Sequence, residues 1–251
     1  MSALSLLTLI LLILMLLVGG KHGLSSFISV VLNFGILFLT VILIAGGFPP
    51  LGVSLFAGIC ILAITIYMGN SDETATNTAF LATIIVMLVM LVIIIPLDQI
   101  AQVQGFGNEQ SEEIEAFNLL IGIKFESLLI ATTVLSTLGA IAEAAIAVAS
   151  GLEELIAQQN SITLSQLYKS GRTIGFQIMG MTFNTLFFGM FGGDLALFVL
   201  LYKLNATFGY YLNSKIFVGE CLAVLFSALA VILVIWITIY LTGRKLNIKR
   251  S

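Results

Sequence analysis

Leu128-Leu129-Ile130-Ala131-Thr132-Thr133-Val134-Leu135-Ser136-Thr137-Leu138-Gly139-Ala140-Ile141-Ala142-Glu143-Ala144-Ala145-Ile146-Ala147-Val148-Ala149-Ser150 is a run of 23 residues with one ionisable side chain, Glu143. As a helix it extends about 34 Å at 1.5 Å per residue, enough to cross about 30 Å of hydrocarbon. A charged carboxylate near the centre of a bilayer costs about 2.5 kcal/mol or more. Its presence there makes Glu143 the first functional candidate.

The rest of the chain has the same character. Hydrophobic residues make up 59% of it and charged ones 9%, against roughly 25% charged in a soluble domain. Mean hydropathy is +1.15. Apolar runs occupy 3–18, 24–45, 51–68, 78–97, 125–150, 172–191 and 216–242. Gly and Pro clusters such as Gly19-Gly20-Lys21-His22-Gly23 and Gly46-Gly47-Phe48-Pro49-Pro50 separate them and mark turns. Open sheets are excluded, because strand edges stay unsatisfied in lipid. The expected fold is therefore all-α: a polytopic transmembrane helical bundle of about seven spans, with a re-entrant or half-length segment near 192–215. It forms one integral membrane domain over 1–251. Apolar spans fill 1–97, an acidic extracytoplasmic connection fills 98–124, and polar-lined spans fill 125–242.

Two stretches need separate reading. Met1 to Gly20 lacks the charged start and small-x-small cleavage site of a signal peptide, so it reads as a retained first span. Residues 151–171 carry Glu153, Glu154 and Lys169 among leucines at partly helical spacing, the pattern of a short amphipathic helix at the membrane surface.

Charge distribution orients the bundle. If 192–215 returns to the side it left, then Lys21, Lys169, Arg172, Arg244, Lys245, Lys249 and Arg250 share one face. Lys124, Lys203 and Lys215 fall elsewhere. The expectation is a cell-membrane protein with the N-terminus outside and the C-terminus cytoplasmic. Trp236 and Tyr240 then form an inner aromatic anchor.

Most other chemistry is excluded. The single histidine, His22, sits between spans, so zinc or triad chemistry lacks partners. There is no phosphate-binding glycine loop and no GxSxG. Asp72, Asp98 and Asp194 read as connection residues, leaving no paired aspartates at depth. Cys60 and Cys221 read as buried free thiols. No basic stripe suits nucleic acid. No catalytic residue, metal ligand or cofactor is expected.

What remains is a polar constellation on the last three runs. Ser136, Ala140, Glu143, Ala147 and Ser150 recur at three and four residues, on one helix face. Gln177, Gly180 and Asn184 share a face of the next run, and Asn213, Glu220 and Ser227 repeat every seven residues. Counting from the turns puts Glu143 about 10 Å deep and Gln177 about 8 Å deep, which would let them face each other. The candidate polar intramembrane site is Glu143, Gln177, Asn184 and Glu220. The plainer alternative is that these side chains are hydrogen-bonding glue between helices, worth about 0.6–2 kcal/mol each.

Two segments carry a resemblance: Ser136 to Ser150, and Ser170-Gly171-Arg172-Thr173-Ile174-Gly175-Phe176-Gln177-Ile178-Met179-Gly180-Met181-Thr182-Phe183-Asn184-Thr185-Leu186. With Asn213 and Glu220 they resemble the YibE/F family of bacterial multi-pass membrane proteins, in its short YibF-like form. The resemblance implies a bacterial cell-membrane location and a YibE-like membrane protein as partner. This chain has Glu143 where the commoner pattern has Asp, and Phe176-Gln177 where that pattern has Arg-Asp, so a family charge pair is missing here. No residue role is carried over.

The function expected is that of a permease or permease subunit moving a small solute or ion, not an enzyme, with a polar interior between the last three spans. The alternative is a non-transporting scaffold or assembly partner of a YibE-like protein. Partners are membrane lipids and either that protein or further copies of the chain.

Overall fold

A computed structural model describes residues 3–69, 72–103, 125–159, 162–203 and 207–250. The elements are α1 (Ala3–Ala45), α2 (Pro50–Gly69), α3 (Glu73–Ala101), α4 (Phe125–Gln158), α5 (Leu164–Gly193), α6 (Leu195–Lys203), α7 (Phe208–Asn213) and α8 (Lys215–Arg250). No strand occurs among the described residues. Six of these helices are long and apolar enough to cross a membrane: α1, α2, α3, α4, α5 and α8. The expected acidic connection over 98–124 lies mostly outside the described residues.

α4 is the axle of the bundle. It packs against α2, α3, α5 and α8. Its residues Ala131, Val134, Leu138, Ile141, Ala145, Val148 and Leu152 are all buried, alternating three and four apart. That is the seam of left-handed helix packing. Alanines let the neighbouring backbones approach, and Leu138, Ile141 and Leu152 fill the remaining space. α8 packs on α3, α4 and α5, whereas α1 packs on α2.

Residues expected as the first two spans form one element, α1, broken at Gly20. Gly20 has φ 53 and ψ −127, a conformation a side chain would strain. The break is sharp: a Cβ at Gly23 would run into the Met15 carbonyl. Beyond it α1 docks on α2 through Ser25 Oγ donating to Met68 O (3.1 Å) and Asn33 Nδ2 donating to Thr65 Oγ1 (2.7 Å).

The expected surface helix over 151–171 is not formed as a separate element. α4 continues to Gln158, and α5 begins at Leu164 behind a capping box in which Thr163 and Gln166 satisfy each other's backbone N–H groups. The amphipathic spacing belongs to the ends of two helices that outrun the bilayer: α4 is 34 residues, about 51 Å long.

α8 runs antiparallel to α5. Gly171 and Gly175 lie on Ile239 and Ile235, and Gly243 lies beside Tyr168. The chain between them therefore leaves and re-enters the same end of the bundle. It forms α6 and α7, of nine and six residues, far too short to span. Edge-on ring contacts hold α6, Phe191 to Phe198 at 5.5 Å and Phe198 to Phe217 at 5.6 Å, and α7, Tyr211 to Phe217 at 6.1 Å.

Lys245 Nζ donates to Thr74 O (3.3 Å), and Tyr67 Oη donates to Asn77 Oδ1 (2.8 Å). One end of the bundle thus gathers the Gly20 break, the end of α2, the starts of α3 and α5, and the end of α8. Lys21, Lys169, Arg172, Arg244 and Lys245 lie toward that end. Lys203 and Lys215 lie toward the other, where Val103 packs near Gly219.

Candidate functional site

The α5–α8 pair is closed at one end and open at the other, and glycine is present at both. At the closed end an isoleucine of α8 fills the space a Cβ would take at Gly171 and Gly175. At the open end Gly189 and Gly193 have nothing within 4 Å of that position. The helices stay apart there, leaving a cleft of about 430 Å³ between α4, α5 and α8. Ser136, Thr185, Asp194, Glu220 and Ser227 supply its polar lining.

The hydroxyls in that lining are already committed as donors. Ser136 Oγ donates to Thr133 O (2.8 Å), Thr185 Oγ1 to Met181 O (3.1 Å) and Ser227 Oγ to Ala223 O (2.8 Å). What they turn toward the cleft is oxygen lone pairs. The carboxylates of Asp194 and Glu220 add acceptors of the same kind. Asp194 is fixed at the C-terminus of α5, its backbone N–H bonded to Met190 O (3.1 Å). The cleft's walls are otherwise apolar, with Leu186, Met190 and Val224 among them, and its polar side chains present oxygen acceptors alone, suited to a small cation or a protonated amine. Among the described residues no three His, Cys, Asp or Glu side chains form a metal cluster.

Glu143, Gln177 and Asn184 lie elsewhere. All three are exposed on the outside of the bundle, and among the described residues none has a hydrogen bond or ion-pair partner. On α4 the exposed positions are Thr132, Ser136, Gly139, Glu143 and Ala147, while Ala140 is buried. The expected face is thus one residue out of phase at Ala140, and it opens outward. Gly151 lies against Ile174 and Ser136 shares the cleft with Gly189. This antiparallel register sets Glu143 level with Thr182, about 7.5 Å along the axis from Gln177. The two do not meet. Asn213 belongs to α7, where its Nδ2 donates to Gly209 O (2.7 Å). Of the four candidates only Glu220 lines the cleft, joined by Asp194, which read as a connection residue.

The family model described as YibE/F-like protein matches residues 7–247. The chain belongs to the YibE/F family. No curated protein and no solved structure matches it. The match covers α1 from residue 7 and the other five candidate spans whole, so the cleft and the open face of α4 both lie within the family's matched region.

Asp98 is a further residue that sequence reasoning misplaced. It is not in a connection: it sits in α3, 4% exposed, with carboxylate oxygen Oδ2 buried and unpartnered among the described residues. Pro96, two residues before it, lies inside the helix. The apolar run reads as ended at Leu97 because Asp98 and Gln99 are polar, yet the helix continues through both to Ala101.

Proposed function

We propose that this chain is a membrane permease or permease subunit, and that the cleft between α4, α5 and α8 receives a small cation or protonated amine. The observation that supports the reading is that the polar side chains of the lining are all acceptors: two carboxylates and three hydroxyls whose protons are used within their own helices. A ligand offering only positive charge or N–H donors complements such a surface, and an anion does not. No catalytic role is assigned.

A ligand that binds only the folded state stabilises it, by about 2.7 kcal/mol at 100 times its Kd. Titrating sodium, calcium or a small alkylammonium into the purified protein is therefore expected to raise its melting temperature. The Asp194→Asn, Glu220→Gln double variant should melt like the wild type without ligand and lose the response. A response that survives in the double variant would place binding outside the cleft.

The reading includes seven spans, with residues 3–19 crossing separately before the Gly20 break. The end carrying Lys21, Lys169, Arg172, Arg244 and Lys245 faces the cytoplasm. Trp236 and Tyr240, both exposed on α8, anchor near that side. In a background lacking Cys60 and Cys221, Leu4→Cys and Phe48→Cys should react with an impermeant reagent on intact cells, while Asn247→Cys stays protected. Protection of Leu4→Cys together with Asn247→Cys would reduce the count to six.

The second reading is an assembly partner, for a YibE-like protein or for further copies of itself. The outward Glu143 favours it, because a carboxyl on a membrane-facing surface calls for a neighbour.

A further inference from the structure

The outer face of α4 is at odds with the rest of that helix. α4 is buried on every other side, yet Thr132, Ser136, Gly139, Glu143 and Ala147 stay exposed along it. Its edges are defined: Leu138 turns to Gly58 of α2, and Gly151 to Ile174 of α5. Small side chains keep the floor low enough for another helix to approach closely. Glu143 stands in the middle of this floor. A carboxyl is costly to leave against lipid at that depth, and no described residue of the same chain serves it.

The side of α5 that borders this floor carries the matching group. Gln177 and Asn184 lie opposite the Gly171 and Gly175 side that packs on α8, and both are exposed and unpartnered. Asn184 is two residues from the level of Glu143, about 3 Å along the axis. Two copies inserted in the same direction are related by a twofold axis along the membrane normal, which preserves depth and makes every contact reciprocal. An acceptor and a donor at one depth on one face are the pair such an axis joins.

We propose that the open face of α4 and the adjoining side of α5 pack against the same face of a second copy, Glu143 of each copy accepting a hydrogen bond from the Asn184 carboxamide of the other. Each exposed polar group then gains a partner, and the small residues allow the two α4 helices to come together. This rests on the reading that the chain works in a complex; the face meets the cleft only at Ser136, and none of the residues tested below lines it. Loss of cation binding with intact dimers sinks only the transport role, and the converse sinks only the dimer.

The test uses the full chain in membranes, in a background of Cys60→Ser and Cys221→Ser. Gly139→Cys and Ala147→Cys should give oxidative dimers in at least tenfold higher yield than Leu88→Cys on the exposed side of α3. Adding Glu143→Leu or Asn184→Leu should lower that yield at least fivefold, while Glu143→Gln, which still accepts from Asn184, should retain it. All these side chains are exposed, so the monomer's melting temperature serves as a folding control and should stay unchanged. Equal yield at Leu88→Cys, an undiminished yield with Glu143→Leu, or cross-links to a different protein alone would each overturn the proposal.

Discussion

Gly175→Leu is expected to unseat α5 from α8 and to cause one of the largest losses of stability available to a single substitution in this bundle. A Cβ at Gly175 would overlap Ile235 Cγ2. That methyl is attached at a branched Cβ in a helix, where one rotamer dominates, so it has no room to retreat. Overpacking of this kind costs about 1–3 kcal/mol and sometimes more, and the rest of the leucine adds to it. Gly189→Leu provides the control on the same helix, since nothing lies within 4 Å of its Cβ position. It should cost no more than a few tenths of a kcal/mol. Ile235→Ala, which removes the obstructing methyl, should recover part of the loss in the Gly175→Leu background. Thermal unfolding in mild detergent compares the four proteins. Equal stability of Gly175→Leu and Gly189→Leu would mean that α5 does not close on α8 as described.

Asp98→Leu should move stability in the opposite direction. Asp98 is 4% exposed and its Oδ2 has no partner among the described residues. An unsatisfied buried polar atom costs about 1–3 kcal/mol, and replacing it with an apolar group of similar size is neutral or stabilising. The leucine variant should therefore unfold at a higher temperature, by an amount corresponding to about 1–3 kcal/mol. A lower temperature would reveal a partner for that carboxylate, since breaking a buried pair by removing one member is strongly destabilising.

These two positions also show what the chain makes legible. The helical membrane class follows from composition and run length, because hydrocarbon thickness dictates both. The half-length segment near 192–215 follows for the same reason: a chain too short to span has to turn back. The site was harder to read. In water an apolar face points inward. In lipid both the core and the surroundings are apolar, so hydropathy does not fix the rotation of a helix about its axis. The spacing of Ser136, Glu143 and Ala147 reads as an interior face because small and polar residues line polar cavities. In the structure Leu138, Ile141 and Val148 turn inward instead; Ser136 borders the cleft, while Glu143 and Ala147 face out. Glu220, in the second turn of α8, lines the cleft. Asp98 reads as the start of a connection because a charged residue closes the apolar run, whereas α3 carries on to Ala101.

The order of the helices along the chain gives the central position of α4 a consequence for biogenesis. A nascent chain emerges at about 5–20 residues per second, and α2 and α3 leave the ribosome before α4, the helix they pack against, exists. α1 and α2 can already join through Ser25 and Asn33. α3 has no such option for its inner side, where Ala75, Ala79, Ala82 and Val86 wait for later segments. α8 comes later than the three other helices that contact α4, yet it closes the side of α4 that α3 and α5 leave open. Synthesis halted after α5 would thus leave inserted helices with small, close-packing surfaces still turned to lipid, a form that membrane quality control can distinguish from the finished protein.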